Sequence, residues 1–312
     1  MEVDSVTETD VSITLINIRD YIRWGASQFA EHKVFLGHGI ATALHESAAI
    51  VLHALFLPYN LDDCYLDAIL TVKEREKVLQ QLNKRILDRK PVAYITKEAT
   101  FAGLSFFVDE RVLVPRSPIA ELIEQRFNPW VDEDQVVKIL DLCTGSACIA
   151  IACAYAFSEA QVDAVELSDD AIDVANINIK THEMTDQVSL YKSDLFNDLP
   201  KAQYDLIVSN PPYVAIEEWE QLPAEYHREP RLGFTGGITG LDLVIRILAD
   251  AKNYLSEQGI LIIEVGSSAE TLQQQFPEIP FYWLEFERGG DGVFLLTAEQ
   301  VHHYHKFFKN FI

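Results

Sequence analysis

The chain has little that a metal ion, a bilayer or a nucleic acid could use. Its four cysteines, Cys64, Cys143, Cys148 and Cys153, form no C-x-x-C pair. Three of them fall in or just after one strand–turn–helix stretch, so small buried thiols are expected rather than a disulfide framework or a zinc site. No run approaches the ~20 apolar residues needed to cross a membrane. The opening Met1-Glu2-Val3-Asp4 is acidic and lacks the basic and apolar regions of a signal peptide, which points to the cytoplasm. Basic residues are scarce: 25 Lys and Arg stand against 48 Asp and Glu, a formal charge of −23. The deficit is uneven. Residues 1–90 hold 13 acids and 10 bases, whereas residues 91–312 hold 35 and 15. So acidic a C-terminal portion repels phosphate backbones, whose binding rests on Lys and Arg. It attracts a basic protein. Plain solubility is the other reading of such an excess.

What is present suffices for a large core. With 312 residues, 48% of them hydrophobic, roughly two domains are expected. Residues 1–10 are polar and read as frayed. Residues 11–90 read as a small helical domain. Apolar residues recur at helical spacing from Val11 to Phe29, a strongly apolar stretch runs from Ala41 to Leu57 before Pro58, and Val78, Leu82 and Ile86 continue the pattern. Residues 91–115 change character. Val92, Tyr94 and Ile95, then Phe101, Leu104 and Phe106 around Gly103, give the pattern of a β-hairpin linker. From 116 to 312 short apolar strands alternate with helices: strands at 137–142, to Leu167, at 188–191, 205–209, 259–265, 281–286 and 293–297, with a helix at 241–255. This alternation implies an α/β, doubly wound, largely parallel sheet with an antiparallel edge strand. The terminal run His302-His303-Tyr304-His305 reads as an exposed helix face and not as a metal site.

In such sheets ligands bind at the carboxyl ends of the strands. Four stretches converge there. The turn Asp141-Leu142-Cys143-Thr144-Gly145-Ser146-Ala147 has small residues that let backbone approach a ligand, and the next helix offers free N–H groups. It has too few glycines for a dinucleotide fingerprint and no phosphate-cradling lysine, which disfavours a nucleoside triphosphate. Glu166 ends the second strand, where a carboxylate can accept from ribose hydroxyls. After the third strand, Asp194 could accept from an adenine amino group, with Leu195 or Phe196 against the ring. After the fourth strand comes Asn210-Pro211-Pro212-Tyr213. The prolines fix the backbone and remove two N–H donors. The Asn210 side-chain oxygen and the Pro211 carbonyl then form an acceptor-rich pocket for a planar NH2 group, with Tyr213 as an aromatic wall. Together the four stretches fit a nucleoside-bearing methyl donor.

These residues resemble the class I S-adenosylmethionine-dependent methyltransferases that modify a glutamine side-chain amide. The supporting stretches are Pro91-Val-Ala-Tyr-Ile95, Val108 through the Arg-Val-Leu-Val-Pro-Arg-Ser-Pro run to Glu121, Pro223-Ala-Glu-Tyr226, Glu229-Pro230 and Gly289-Gly-Asp-Gly-Val-Phe294. Cys143 and that run favour the branch acting on ribosomal protein L-three over the sister branch acting on peptide release factors. The resemblance implies a helical substrate-recognition domain (1–90), a hairpin linker (91–115) and a methyltransferase domain (116–312). It implies S-adenosyl-L-methionine as cofactor, held by Asp141, Cys143, Thr144, Gly145, Ser146, Glu166, Asp194, Leu195 and Asn210. It also implies a glutamine amide held by Asn210, Pro211, Pro212 and Tyr213, with Asn210, Pro211 and Tyr213 catalytic. The implied partner is a basic ribosomal protein, free or in an assembling large subunit, with no nucleic acid or membrane involved. Two positions depart from the family pattern. Ala147 stands where glycine is usual, which is tolerable if the backbone there has negative φ. Glu166 stands where aspartate is usual. Adenine-N6 methylation of nucleic acid would use the same pocket, but charge argues against it. A non-catalytic module would have no need of the Asn-Pro-Pro-Tyr turn.

Overall fold

The computed structural model describes residues 11, 13–40 and 42–311, so the expectations for residues 1–10 and for Ala41 fall outside it. The chain divides into two units: residues 1–98 with 223–228, and residues 99–222 with 229–312.

The first unit is helical: α1 (Ile18–Glu31), α2 (Ala43–Ala54), α3 (Val72–Ile86) and α4 (Val92–Thr96). Local chemistry sets their ends. Asn17 with Asp20 and Thr71 with Glu74 form reciprocal capping boxes, each satisfying otherwise orphaned N–H groups. The amphipathic faces bury Ile18, Tyr21, Ile50, Val78 and Leu82 together. At the centre lies an ionic knot. Arg85 is fully buried and donates from Nε to Glu46 at 2.8 Å and from Nη2 to the Phe35 carbonyl at 2.7 Å. Glu225, brought in by the 223–228 segment, accepts from the Phe35 N–H at 3.0 Å and from Arg89 at 3.4 Å. The short helix α4 departs from the extended reading of residues 92–95. All five of its residues are buried, so burial has no period of two there, and Pro91 presets φ for a helical start.

The second unit begins with the hairpin β1 (Glu98–Phe101) and β2 (Leu104–Phe107) around Gly103, as the sequence indicated. Then follow α5 (Ile119–Glu124), β3 (Lys138–Leu142), α6 (Cys148–Ala156), β4 (Gln161–Glu166), α7 (Asp169–Thr181), β5 (Val188–Lys192), β6 (Tyr204–Ser209), α8 (Ile216–Gln221), α9 (Asp242–Asp250), β7 (Leu255–Glu264), α10 (Ala269–Gln275), β8 (Tyr282–Trp283), β9 (Val293–Thr297) and α11 (Ala298–Lys309). The seven-stranded sheet has the order β5-β4-β3-β6-β7-β9-β8. Five strands are parallel and β9 runs antiparallel to both its neighbours. Two boundaries moved. The helix expected to Leu255 ends earlier, because Leu255 already pairs with Tyr204 ahead of a bulge. The strand expected over 281–286 pairs only at Tyr282–Trp283.

Alternate strand residues feed the cores on the two faces. Ile139, Val162, Ala164, Leu206, Val208 and Ile262 join the core that also holds α6 side chains. Leu140, Val165, Ile207, Leu261 and Ile263 join the other. By the period of two, Asp141, Glu166, Asn210 and Glu264 all fall on the first face at the carboxyl end of the sheet. The strand order reverses between β3 and β6, so the crevice opens between the turns that follow those two strands.

No helix among the described residues is long and apolar enough to cross a membrane, and no group of three metal-ligating side chains occurs among them. Cys148 and Cys153 are buried, but Cys64 is exposed and Cys143 half-buried. His302 and His303 are exposed, whereas His305 is buried with Nδ1 2.7 Å from the His302 carbonyl.

Candidate active site

A cavity of about 540 Å³ opens at the reversal point, lined from the stretches that follow β3, β4, β5 and β6. Its volume is that of a small-molecule pocket. Cys143, Gly145, Glu166, Asp194, Leu195 and Asn210 all line it, as do Thr144, Ser146 and Pro212.

The turn after β3 is backbone-rich and bent. Cys143, Gly145 and Ala147 have φ of +60°, +57° and +64°. Gly145 has no atom within 4 Å of where a Cβ would stand, so its bare backbone faces open space. Ala147 thus does not meet the condition of negative φ under which an alanine is tolerated without strain. A left-handed alanine costs ~1–2 kcal/mol, which the surrounding turn must offset. Asp141 ties this turn to the helix that follows it. Its carboxylate is fully buried beneath the turn and accepts from Thr144 Oγ1 and from the Ala150 N–H at 3.1 Å. Burial pushes its pKa up to about 7, with the two hydrogen bonds opposing. Asp141 thus holds the turn from below and does not line the cavity.

Glu166 lines the cavity but also bends back on the chain. One oxygen accepts from the Gly145 N–H at 2.9 Å, and the other accepts from the Leu167 and Ser168 N–H groups at 2.9 Å each. The extra methylene of glutamate gives the reach for this. A carboxylate offers about four lone-pair directions, so acceptor capacity toward a ribose remains. Asp194 already has a partner, because Arg246 Nη2 from α9 donates to it at 2.8 Å. Arg246 also lines the cavity. Leu195 faces the cavity, whereas Phe196 stacks on Tyr254 at 4.5 Å in the core, which removes it as a ring-packing candidate.

In the turn after β6, Asn210 and Pro212 line the cavity and Pro211 is buried between them. Tyr213 differs from expectation. It is no wall of the cavity: its hydroxyl donates to Glu264 Oε1 at 2.8 Å, and Ser268 Oγ donates to its carbonyl at 2.8 Å. Its ring lies over Gly266, where a Cβ would stand 2.5 Å from the ring edge.

Sequence reasoning missed a whole wall. Residues 111–117 line the cavity. They are anchored by Glu229, fully buried as a side chain, which accepts from the Val114 N–H at 2.8 Å and from Arg116 at 2.8 and 2.9 Å. The signal was present as the Arg-Val-Leu-Val-Pro-Arg-Ser-Pro run, read only as a family marker. Glu264 was missed as well, although an acid ending the apolar run Ile260–Ile263 carries the same signal that selected Glu166.

The lining fits S-adenosylmethionine. Glu166, Asp194 and the Asn210 carbonyl offer acceptors to amino and hydroxyl groups, the bare Gly145 backbone allows close approach, and Leu195 and Val165 offer apolar surface. Residues 127–224 match the family model described as the methyltransferase small domain. The chain is 45% identical over 305 residues to the ribosomal protein uL3 glutamine methyltransferase of Francisella tularensis, covering 97% of both chains. It is 50% identical over 287 residues to the protein of the same description from Xanthomonas campestris pv. campestris, covering 92% of this chain and 93% of that one. Among solved structures, the hMettl16 catalytic domain in complex with MAT2A 3′UTR hairpin 1 has a TM-score of 0.48 at 17% identity, covering 89% of each chain. A methyltransferase from Pyrococcus furiosus has a TM-score of 0.46 at 17% identity, covering 73% of this chain and 99% of that one. With nearly half its residues identical over nearly its whole length, the chain belongs to the family of ribosomal protein uL3 glutamine methyltransferases.

Proposed function

We propose that this enzyme transfers a methyl group from S-adenosylmethionine to the side-chain amide nitrogen of a glutamine in ribosomal protein uL3. The observation that carries the reading is the Asn-Pro-Pro-Tyr turn at the reversal point, beside a cavity able to hold the donor. The names of the two relatives favour uL3 over a release factor as substrate.

S-adenosylmethionine supplies an electrophilic methyl carried by a sulfonium. Glu166, Asp194, Leu195 and the 143–146 turn, which line the cavity, would hold it. Asp141 acts on the donor through the turn it supports. An amide nitrogen is a poor nucleophile because its lone pair is delocalised into the carbonyl. The Asn210 side-chain oxygen and the Pro211 carbonyl accept its two N–H bonds, each worth ~1 kcal/mol net. Their larger effect is orientation, which can supply up to ~7–11 kcal/mol when a nucleophile is held in line. No side chain at the turn is placed as a general base, so the proton leaves after methylation, when the nitrogen has become acidic. Tyr213 works from behind this turn and not as its wall.

The acidic second half draws a basic substrate to the cavity. A nucleic-acid substrate is disfavoured by the same charge, and the cytoplasm is the compartment in which a ribosomal protein would be met. The helical unit recognises the substrate. Its large exposed apolar side chains, Ile69 at 69% and Val72 at 65%, support this, and Ile69→Asp should raise KM for uL3 while leaving donor affinity unchanged. Mass spectrometry of uL3 incubated with enzyme and labelled donor should place one methyl on a glutamine amide. Label on a release factor and none on uL3 would overturn the substrate assignment.

A further inference from the structure

We propose that Glu264 is a positioning residue for methyl transfer: it clamps Tyr213 and Ser117 together and so fixes the Asn210–Pro212 acceptors at the angle the glutamine amide requires. The inference deepens the reading above and rests on it.

Glu264 ends β7. The register pairs Ser209 with Ile263, so the next step brings Asn210 level with Glu264. On its other side Glu264 pairs with Val293 of β9. The side chain is buried, yet each oxygen is used. Oε1 accepts from the Tyr213 hydroxyl at 2.8 Å and Oε2 from the Ser117 hydroxyl at 2.5 Å. One carboxylate therefore ties the turn after β6 to the cavity wall at 111–117. The backbone completes the clamp. The Gly292 carbonyl accepts from the Val265 N–H at 2.7 Å and from the Gly266 N–H at 3.2 Å, and the Tyr213 ring covers Gly266, so the Gly-rich run 289–292 holds the strand end beneath the tyrosine.

A carboxylate buried among apolar strands is costly, and the fold needs none at this position, since Ile260 and Ile262 precede it on the same face. Its two hydrogen bonds both run to segments that meet the cavity. Burial pushes its pKa up to about 7, opposed by the Ser117 and Tyr213 hydrogen bonds and by the charge of Arg116, while Asp291 adds to the rise. The charged form accepts from both hydroxyls at once. The neutral acid carries a proton on one oxygen, which must displace one of those donors.

The test measures single-turnover methyl transfer to uL3 at saturating donor, with donor Kd by calorimetry, for wild type, Glu264→Gln, Tyr213→Phe and the double variant. Glu264→Gln keeps the volume but turns one acceptor into a donor. A lost charged hydrogen bond predicts a rate ~10–100-fold lower with donor Kd within about twofold. Tyr213→Phe should fall by a similar factor, and the double variant should be no slower than Glu264→Gln alone, because both remove the same link. Unchanged donor binding shows that the variants are folded. A Glu264→Gln rate within about threefold of wild type, or losses that multiply in the double variant, would overturn the assignment. Wild type failing to methylate uL3 would instead overturn the proposed function, so the two failures are read from different arms.

Discussion

The turn after β3 and the turn after β6 face the same cavity from adjacent strands, and they are rigid for opposite reasons. The first is bent: Cys143 and Ala147 are held at positive φ, Gly145 lies between them, and a buried carboxylate below gathers the Thr144 hydroxyl and the Ala150 N–H. The second is stiff by covalent structure, with two prolines, and is braced from behind through Tyr213 and Glu264. Each turn thus has its own buried acid, Asp141 for the first and Glu264 for the second, and burial pushes each up to about 7. The difference lies in what is presented. The first turn offers bare backbone to a donor molecule, while the second offers fixed acceptors to an amide. One pair of strand ends therefore divides binding from orientation.

The sharpest way to break this comparison is at Asn210. Asn210→Ala should lower methyl transfer by ~10³-fold or more in a single-turnover assay while donor affinity by calorimetry stays within about twofold. Asp141→Ala should do the reverse, weakening donor binding by ~10-fold because the turn loses the anchor for Thr144, with transfer at saturating donor little changed. Asp141→Asn separates charge from shape. Because the folded pKa is raised from 3.8 to about 7, Asp141 contributes stability below pH ~4 that is lost as pH rises through 7. Urea unfolding should therefore show the Asn variant gaining on wild type between pH 5 and pH 8, by a few kcal/mol at most. Ala147→Gly should relieve the left-handed alanine and stabilise by ~0.5–1 kcal/mol, since the lost buried methyl offsets part of the gain. The smallest effect concerns capture. kcat/KM for uL3 should fall by about threefold on moving from low to physiological salt, because steering by the acidic surface is screened.

Much of the sheet was legible because its strands are near-continuous apolar runs bounded by turn residues, and the order of acids and the Asn-Pro-Pro-Tyr turn could be assigned to strand ends. What escaped depends on register and tertiary contact. Nothing local in Val265 or Gly266 says that Glu264 comes level with Asn210; only the β6–β7 pairing does. Asp194 reads as an open acceptor until α9 brings Arg246 to it. Tyr213 reads as an aromatic wall until its hydroxyl finds Glu264. Residues 92–96 alternate too poorly to be told from a buried helical turn, and residues 223–228, far along the chain, group with the helical unit because Glu225 completes the knot around Phe35 and Arg89.

The division of labour is tested most directly by single-turnover methyl transfer to uL3 at saturating donor, run side by side on Asn210→Ala and Asp141→Ala. This division predicts that transfer collapses in the first variant and survives in the second. Near-wild-type transfer by Asn210→Ala, or an equal collapse in both, would contradict it.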